Sequence, residues 1–492
     1  MSGQIASISD PKLKIEILNA GEVRRIHEAT LQIIETIGVR FPSHRALEIW
    51  AQAGADVDFV RKVVKAKATL IETALKTCPP EYPLAARIPT QDLPLDGNHV
   101  YLGTDGCGVE VLDIGSGTRR TSRLQDVRDI ARIADAVEQI AFHWVPVSAQ
   151  DVPARTRGLH EIKAIWENST KHVQTESIYS ELEARAAIEM AQMIAGGSNA
   201  LRRRPILSLM QCTASPLGHD GGSLDAALLA AEAGVPTGFM TMSACLTTGP
   251  ATLAGTLAVG NAEVVAGTAL LQLAHPGAPV FYAAAQTASD IRTGAYTGGG
   301  PEDFLFGGAT NALADFYKIP LSMGSFATGA KEPNWQAGLE NGLSTFMAGA
   351  SMADMLLGVG FLHGSRIWSY AEMMMDCEIF STVQKMMQGI VVNDETLALE
   401  AIAAVGPSGN FLTQKHTRQH MRDLFIPEFM DRRSYTDWEA KRDDARDWAL
   451  EKARRILTEH QPEPLDGKLS RELGAIIGTI EGAPMTPEQS SL

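Results

Sequence analysis

The chain contains no HExxH, no CxxC and no G-x-S-x-G. The first two absences remove the local constellations for a zinc centre and a dithiol redox centre; the third removes the nucleophile elbow of an α/β hydrolase. Its five cysteines, Cys78, Cys107, Cys212, Cys245 and Cys377, share no ligand or redox spacing, and an odd, unpatterned set suits a reducing compartment. Basic charge is short: 43 Lys and Arg against 58 Asp and Glu leave a net charge of −15, which argues against nucleic acid or an anionic membrane as partner. The triplet Arg202-Arg203-Arg204 reads as a solvated loop. No apolar run reaches the roughly 20 residues a bilayer needs. Segment 251–274 comes closest, but it carries Asn261 and Glu263 and reads as a buried helix. The opening residues MSGQIASISDPKLKIEI are too polar for a signal peptide, so the expected location is cytoplasmic.

What is present is a rhythm. With 45% hydrophobic residues, the 492-residue chain can bury a large core. Residues 1–120 read as a helical and hairpin region: amphipathic helices over Ala20–Ile37 and Ser43–Ala53, and a hairpin over Val100–Ile114 around the GTDGCG turn. In residues 121–415, helical stretches alternate with short apolar runs at Ile140–Ala149, Lys171–Ile178, Pro205–Thr213, Pro236–Ser243, Pro279–Gln286, Pro320–Ala327 and Ala353–Phe361. An eighth strand is sought near Asn410–Gln414. Such alternation means βα units and a parallel sheet, and its repetition fits a closed (β/α)8 TIM barrel better than an open sheet. No Gly-rich phosphate fingerprint follows the first strand, against a dinucleotide-binding sheet. Residues 416–492 read as a charged, C-terminal helical extension.

In such barrels the site lies at the C-terminal strand ends. That rule selects His143, Trp144 and Gln150; Gln174 and Glu176; Gln211; Met240 and Met242; Tyr282 and Gln286; Phe326; and Phe361 and His363, strand by strand. The set is rich in aromatics, amides and Met, and poor in paired carboxylates and metal ligands. His416 and His420 have helical spacing but no third ligand near them in sequence, as for two surface histidines. Lys331, just past the sixth of these strands, is the lysine placed for Schiff-base chemistry. Each aromatic taken singly reads as core packing; together at strand ends they suit a quaternary ammonium ion, because ring faces attract cations.

Several segments carry a resemblance. They are Ile37-Gly38-Val39-Arg40-Phe41; Gly54-Ala55-Asp56-Val57-Asp58; Gln125-Asp126-Val127-Arg128-Asp129-Ile130-Ala131; Ile291-Arg292-Thr293-Gly294 with Gly300-Pro301-Glu302; Gly329-Ala330-Lys331 with Gln336-Ala337-Gly338 and Glu340; and Ser369-Tyr370-Ala371-Glu372 with Asp376-Cys377-Glu378. In order and spacing the chain resembles the trimethylamine methyltransferase family, in its subgroup lacking pyrrolysine, which includes glycine betaine methyltransferases. The resemblance implies the barrel, and transfer of a methyl group from a small methylated amine to the Co(I) of a separate corrinoid-binding protein. The corrinoid (cobalamin) comes with that partner, and no tightly bound cofactor is implied. Archaeal members place pyrrolysine near the end of the seventh strand, where this chain reads Gly358-Val359-Gly360-Phe361-Leu362-His363-Gly364. A quaternary amine is therefore expected ahead of trimethylamine, glycine betaine first, with trimethylamine, proline betaine and carnitine as the alternatives. The family often has Asp where Asn334 stands and His where Asn410 stands.

The expected site comprises Trp144, Tyr282, Phe326 and Phe361 as ring walls, Glu176 as counter-charge, and Gln211. His363, Arg366 or Arg292 would serve as donor to a substrate carboxylate, Arg292 reading equally as a salt bridge to Asp290 or Glu302. A quaternary nitrogen leaves as a neutral amine, so no metal and no general acid are expected. The Gly-rich loop Ser289–Asp303 is expected at the barrel mouth, either closing over the amine or as a static surface loop. A homo-oligomer is expected. Two other readings are a lyase using Lys331 and a non-catalytic betaine-binding protein.

Overall fold

The computed structural model describes residues 5–106, 108–296, 298–324 and 328–483. Eight parallel strands close on themselves: β1 (His99–Thr104), β2 (Ile140–Trp144), β3 (His172–Thr175), β4 (Leu207–Cys212), β5 (Thr237–Thr241), β6 (Val280–Ala284), β7 (Leu321–Gly324) and β8 (Met355–Val359). Closure is made by β8 against β1, with Met355 opposite Tyr101 and Leu356 opposite Leu102. A helix follows each strand: α1 (Leu124–Ala136), α2 (Arg157–Asn168), α3 (Glu181–Ala195), α4 (Gly221–Ala233), α5 (Leu253–Ala274), α6 (Pro301–Tyr317), α7 (Trp335–Ser351) and α8 (Tyr370–Met387). The expected (β/α)8 barrel is therefore present, with one strand relocated. The eighth strand is His99–Thr104, ahead of the other seven and ahead of residue 121; Asn410–Gln414 forms a turn in which Asn410 Oδ1 accepts from Leu412 N at 2.7 Å.

Prolines mark the barrel floor. Pro236, Pro279 and Pro320 each precede a strand and accept, through their carbonyls, from Leu209 N (2.9 Å), Thr237 N (3.1 Å) and Tyr282 N (2.8 Å) of the preceding strand. Pro lacks an N–H, so it starts a ladder where only its acceptor is needed. A hairpin of Tyr82–Leu84 and Leu93–Leu95 plugs this floor, its Leu84, Leu93 and Leu95 packing beneath Tyr101, Phe142, Met210 and Phe281 inside the barrel. Lys171, buried just before β3, donates to the carbonyls of Ala134 (2.7 Å), Val137 (2.7 Å) and Ile140 (2.5 Å), so its ammonium caps the end of α1 and the turn into β2. Burial pushes its pKa down to about 8.

Helix α5 is long and apolar enough to span a bilayer, but most of it is buried inside the protein. The N-terminal helices Ala20–Gln32, His44–Gln52 and Ala68–Leu75 pack against its outer face. Its Asn261 Nδ2 donates to Thr30 Oγ1 (2.7 Å) and Tyr317 Oη (2.9 Å), which fixes that packing. Asn334 is the N-cap of α7: its Oδ1 accepts from Gln336 N (2.8 Å) and Ala337 N (3.3 Å). An Asp at that position would cap in the same way.

Candidate active site

Strand alternation decides what enters the barrel. On β1, Tyr101 and Gly103 face inward, and Asp105 continues that face just beyond the strand. Phe142 and Trp144 do so on β2, Gln174 and then Glu176 on β3, Met210 and Cys212 on β4, and Met240 and then Met242 on β5. On β6 and β7 the inward positions near the mouth are small, Ala283, Ala285 and Gly324. The mouth thus has an acidic, sulfur- and indole-bearing half and an opposite half of small residues that leaves room.

Asp105 is the residue sequence reasoning missed. It is buried; its Oδ2 accepts from Ser365 Oγ and its Oδ1 from Gly106 N at 2.9 Å. Burial raises its pKa to about 6 against the pull of these two donors. The signal was the His99, Tyr101, Gly103, Asp105 alternation, hidden because GTDGCG looks like a hairpin turn. Trp144 is 4% exposed, and its Nε1 finds no hydrogen-bond partner among the described residues. Its ring occupies the space beside Gly106, whose Cβ would stand 2.5 Å from Trp144 Cε2. Glu176 is equally buried, next to Cys212, whose thiol pKa is pushed up by burial and by that carboxylate.

The other expected site residues fall elsewhere. Tyr282 faces outward from β6, its hydroxyl donating to Asn261 Oδ1 at 3.1 Å. Gln211 also faces the helical layer and donates to Ile178 O at 3.1 Å. Phe361 is fully buried under the rim, edge-on to Trp368 with ring centroids 5.2 Å apart. It belongs to a small sheet at the mouth, formed by Glu110–Leu112, Arg119–Thr121, Phe361–Leu362 and Ile367–Ser369. These three are wall and rim residues, not linings of the interior. The spacing rule found strand ends, but the one-residue alternation put their side chains on the other face.

His363 and Arg366 are exposed on that rim sheet. Burial and the charges of Lys331, Arg366 and Arg119 lower the His363 pKa. Arg366 and Arg119 each lie 3.5 Å from Glu110. Arg292 is exposed and paired with Asp290 at 3.0 Å. Lys331 is exposed, its Nζ donating to Gly329 O. Phe326 lies outside the described residues, as does Cys107.

Loop 289–300 runs from β6 toward the rim. Its base is a turn in which Asp290 Oδ1 accepts from Arg292 N (2.9 Å) and Thr293 N (3.0 Å). Tyr296 then lies on Gly364, whose Cβ would meet its Cδ1 at 2.9 Å, and Gly299 packs on Glu340 in the same way at 2.8 Å. Tyr296 and Asp105 are near enough to influence each other electrostatically. Glu340 in turn holds the end of β7, accepting from Gly329 N at 2.9 Å and Thr328 Oγ1 at 2.5 Å. Among the described residues, no group of three or more His, Cys, Asp or Glu is placed to hold a metal ion.

A (β/α)8 barrel whose functional end carries two buried carboxylates and an indole, and no inward basic side chain among the described residues, defines the class of protein. A sequence profile described as trimethylamine methyltransferase (MTTB) matches residues 2–481. The chain belongs to that family, and it is an enzyme, a methyltransferase. It is 34% identical to the trimethylamine methyltransferase MttB of Desulfitobacterium hafniense over 94% of this chain and 93% of that one. It is 32% identical to a glycine betaine methyltransferase of the same species, over 94% and 97%. Among solved structures, the Methanosarcina barkeri monomethylamine methyltransferase MtmB shares the fold, with a TM-score of 0.51 at 10% identity over 89% of this chain and 92% of that one.

Proposed function

We propose that this enzyme takes a methyl group from a quaternary amine, glycine betaine first among them, and passes it to the corrinoid of a separate protein in the cytoplasm. The observation that carries the reading is the buried Asp105 carboxyl, next in sequence to the Gly106 against which the Trp144 ring packs, with no Lys or Arg on the inward face near the mouth among the described residues. The Asp105 carboxyl is met by two neutral donors, Ser365 Oγ and Gly106 N, so its ionised form favours a positive partner, and an indole face supplies a further attraction of roughly 0.5–2 kcal/mol to a desolvated cation.

A reduced corrinoid carried by the partner would supply the cobalt nucleophile. The bond broken is N–CH3; nitrogen keeps the electron pair and leaves as a neutral amine, so no proton moves. Asp105, Glu176 and Trp144 hold the ammonium and orient one methyl outward along the barrel axis; such positioning contributes several kcal/mol. Their attraction weakens as charge leaves nitrogen, so they act on binding and selectivity more than on the rate of transfer. Tyr296 and its loop cover one side of the recess. Tyr179, Met242, Leu246, Ile291 and Trp335, all exposed and all between the end of a barrel strand and the first residue of the helix that follows it, give the mouth an apolar rim suited to a transiently docked corrinoid protein.

For a betaine, the carboxylate needs a donor. Trp144 Nε1 has no hydrogen-bond partner among the described residues, and the His363, Arg366, Arg119 and Lys331 cluster stands at the rim. The absence of a Lys or Arg among the described inward residues near the mouth favours a second reading, a carboxylate-free amine such as trimethylamine. A panel of glycine betaine, proline betaine, carnitine and trimethylamine, assayed by methylation of Co(I) cobalamin, separates the two. Turnover of a betaine that Trp144→Phe weakens more than Trp144 substitution weakens trimethylamine use supports the first reading; turnover of trimethylamine alone supports the second. No methylation with any amine removes both.

A further inference from the structure

Three consecutive residues at the tip of the rim hairpin formed by Phe361–Leu362 and Ile367–Ser369 have left-handed backbones. They are His363 (φ 57°), Gly364 (φ 62°) and Ser365 (φ 58°). Glycine apart, L residues visit that region singly, and a run of them persists only where the surroundings hold it. Here the surroundings do. His363 N donates to Ala330 O at 2.7 Å, Gly364 N to Thr328 O at 2.9 Å, and Arg366 N closes the turn on Leu362 O at 3.2 Å. Tyr296 covers Gly364, where a Cβ would meet its Cδ1 at 2.9 Å. The turn past β8 is thereby tied to the segment past β7 and to the loop past β6.

Glycine would suit the third position of this turn better than serine does. What serine adds is a hydroxyl, and it donates to Asp105 Oδ2. Gly106 N donates to the other oxygen, Oδ1, at 2.9 Å. The buried carboxylate therefore has a donor on each oxygen before any ligand arrives, and neither donor is charged. What it still lacks is positive charge rather than a hydrogen-bond donor.

We propose that Ser365 makes the amine site selective for a quaternary ammonium over an ammonium that carries an N–H. The inference rests on Asp105 facing the amine, as in the proposed function. A quaternary nitrogen presents its charge through methyl groups and has no hydrogen to donate. It leaves the Asp105 oxygens with whatever donors the protein supplies, and a buried carboxylate short of a donor is costly. Ser365 and Gly106 meet that need in advance. A protonated tertiary amine differs, because its strongest contact with a carboxylate is a charge-assisted N–H···O bond. With both oxygens already engaged, that bond has to share an oxygen with a donor in place. Without the Ser365 hydroxyl, the N–H would take its position on Oδ2. Ser365 thus acts through Asp105 as a positioning residue. Its effect is on which cation binds, not on how fast the methyl group leaves.

The test is calorimetric binding to the full chain, without corrinoid, of two matched pairs: glycine betaine against dimethylglycine, and tetramethylammonium against trimethylammonium. Within each pair a methyl group stands where the other member has an N–H. Measurements are made at pH 8, above the range in which the Asp105 carboxyl, raised by burial to about 6, titrates. The quaternary member of the pair that binds is expected to bind the tighter. Ser365→Gly, whose backbone suits the turn, should melt no lower than the parent. In it the quaternary member should weaken on the order of tenfold, and its N–H partner by about twofold at most. Ser365→Thr keeps the hydroxyl on a β-branched residue that the left-handed region disfavours, so it should melt lower and keep the parent's preference. A merely structural Ser365 would instead give binding that follows the melting temperatures. If Ser365→Thr does not fold, Ser365→Gly decides alone, and a folded Ser365→Gly with the parent's preference overturns the proposal. Asp105→Asn separates this inference from the reading beneath it. If Asp105→Asn weakens both members of a pair while Ser365→Gly leaves their ratio unchanged, only the role of Ser365 falls. If Asp105→Asn binds every amine as the parent does, or the parent binds neither pair, both fall.

Discussion

Trp144 and Gly106 are fitted to each other: the Cβ that Gly106 lacks would stand 2.5 Å from Trp144 Cε2 and 2.6 Å from its Nε1. The indole therefore holds its place at the mouth because its neighbour has no side chain. Gly106→Ala should push the ring aside at an overpacking cost of about 1–3 kcal/mol. KM for the amine should rise by the lost ring contact, about 2- to 30-fold for 0.5–2 kcal/mol, with a smaller change in kcat. Steady-state kinetics beside a thermal melt checks both numbers; unchanged KM in a destabilised variant would mean that Trp144 is packing alone.

Tyr282 makes the opposite prediction. Its hydroxyl donates to Asn261 Oδ1, in a network that also holds Tyr317 and Thr30. Tyr282→Phe leaves Asn261 with a buried acceptor unpaired, which costs about 1–3 kcal/mol. KM should not move. A denaturant titration and an amine titration together distinguish the wall residue from a pocket residue.

The contrast between Trp144 and Tyr282 marks how far the sequence can be read. Both stand at strand ends, and both are aromatic. Seven strands were legible because Pro236, Pro279 and Pro320 punctuate them and apolar runs stand out against the helices between. Inward and outward faces were not, because both sides of a barrel strand are buried and Val-Phe-Tyr-Ala-Ala shows no polar alternation. Strand β1 escaped because Gly103, Asp105 and Gly106 end it in residues that also make turns. Gly103 is there for Phe142, which approaches to 2.5 Å of its missing Cβ.

Lys171 illustrates a buried charge that belongs to the scaffold. Its three carbonyl acceptors satisfy the ammonium fully, at the barrel end away from the mouth. Lys171→Met keeps the volume and leaves the carbonyls of Ala134, Val137 and Ile140, at the end of α1 and the turn into β2, without that donor. The expected loss is about 2–4 kcal/mol of stability, read by chemical denaturation, with KM unchanged. A variant as stable as the parent would show that the carbonyls find other donors.

Asp105 couples stability to binding, and the sign can be worked out. Burial raises its carboxyl pKa to about 6 in the folded chain, above the ordinary 3.8. The stability this group contributes is thus fully present below pH 3.8 and lost as pH rises through about 6. At neutral pH its ionised form works against folding. Asp105→Asn should therefore stabilise the enzyme at pH 8 by about 1–3 kcal/mol, and the gain should vanish at pH 4. Binding runs the other way. The ionised carboxylate pairs with the ammonium, so kcat/KM should climb as pH rises through about 6, and bound amine should draw that midpoint lower. In Asp105→Asn the climb should disappear and KM should rise at least tenfold, the equivalent of about 1.4 kcal/mol, while kcat changes little because the cation's charge fades during transfer. The measurement is a pair of pH profiles, one of melting temperature and one of kcat/KM, for both proteins with a quaternary amine whose own charge does not titrate. A variant that is neither more stable at pH 8 nor weaker in binding would place the Asp105 carboxyl outside the amine site and leave Glu176 as its counter-charge.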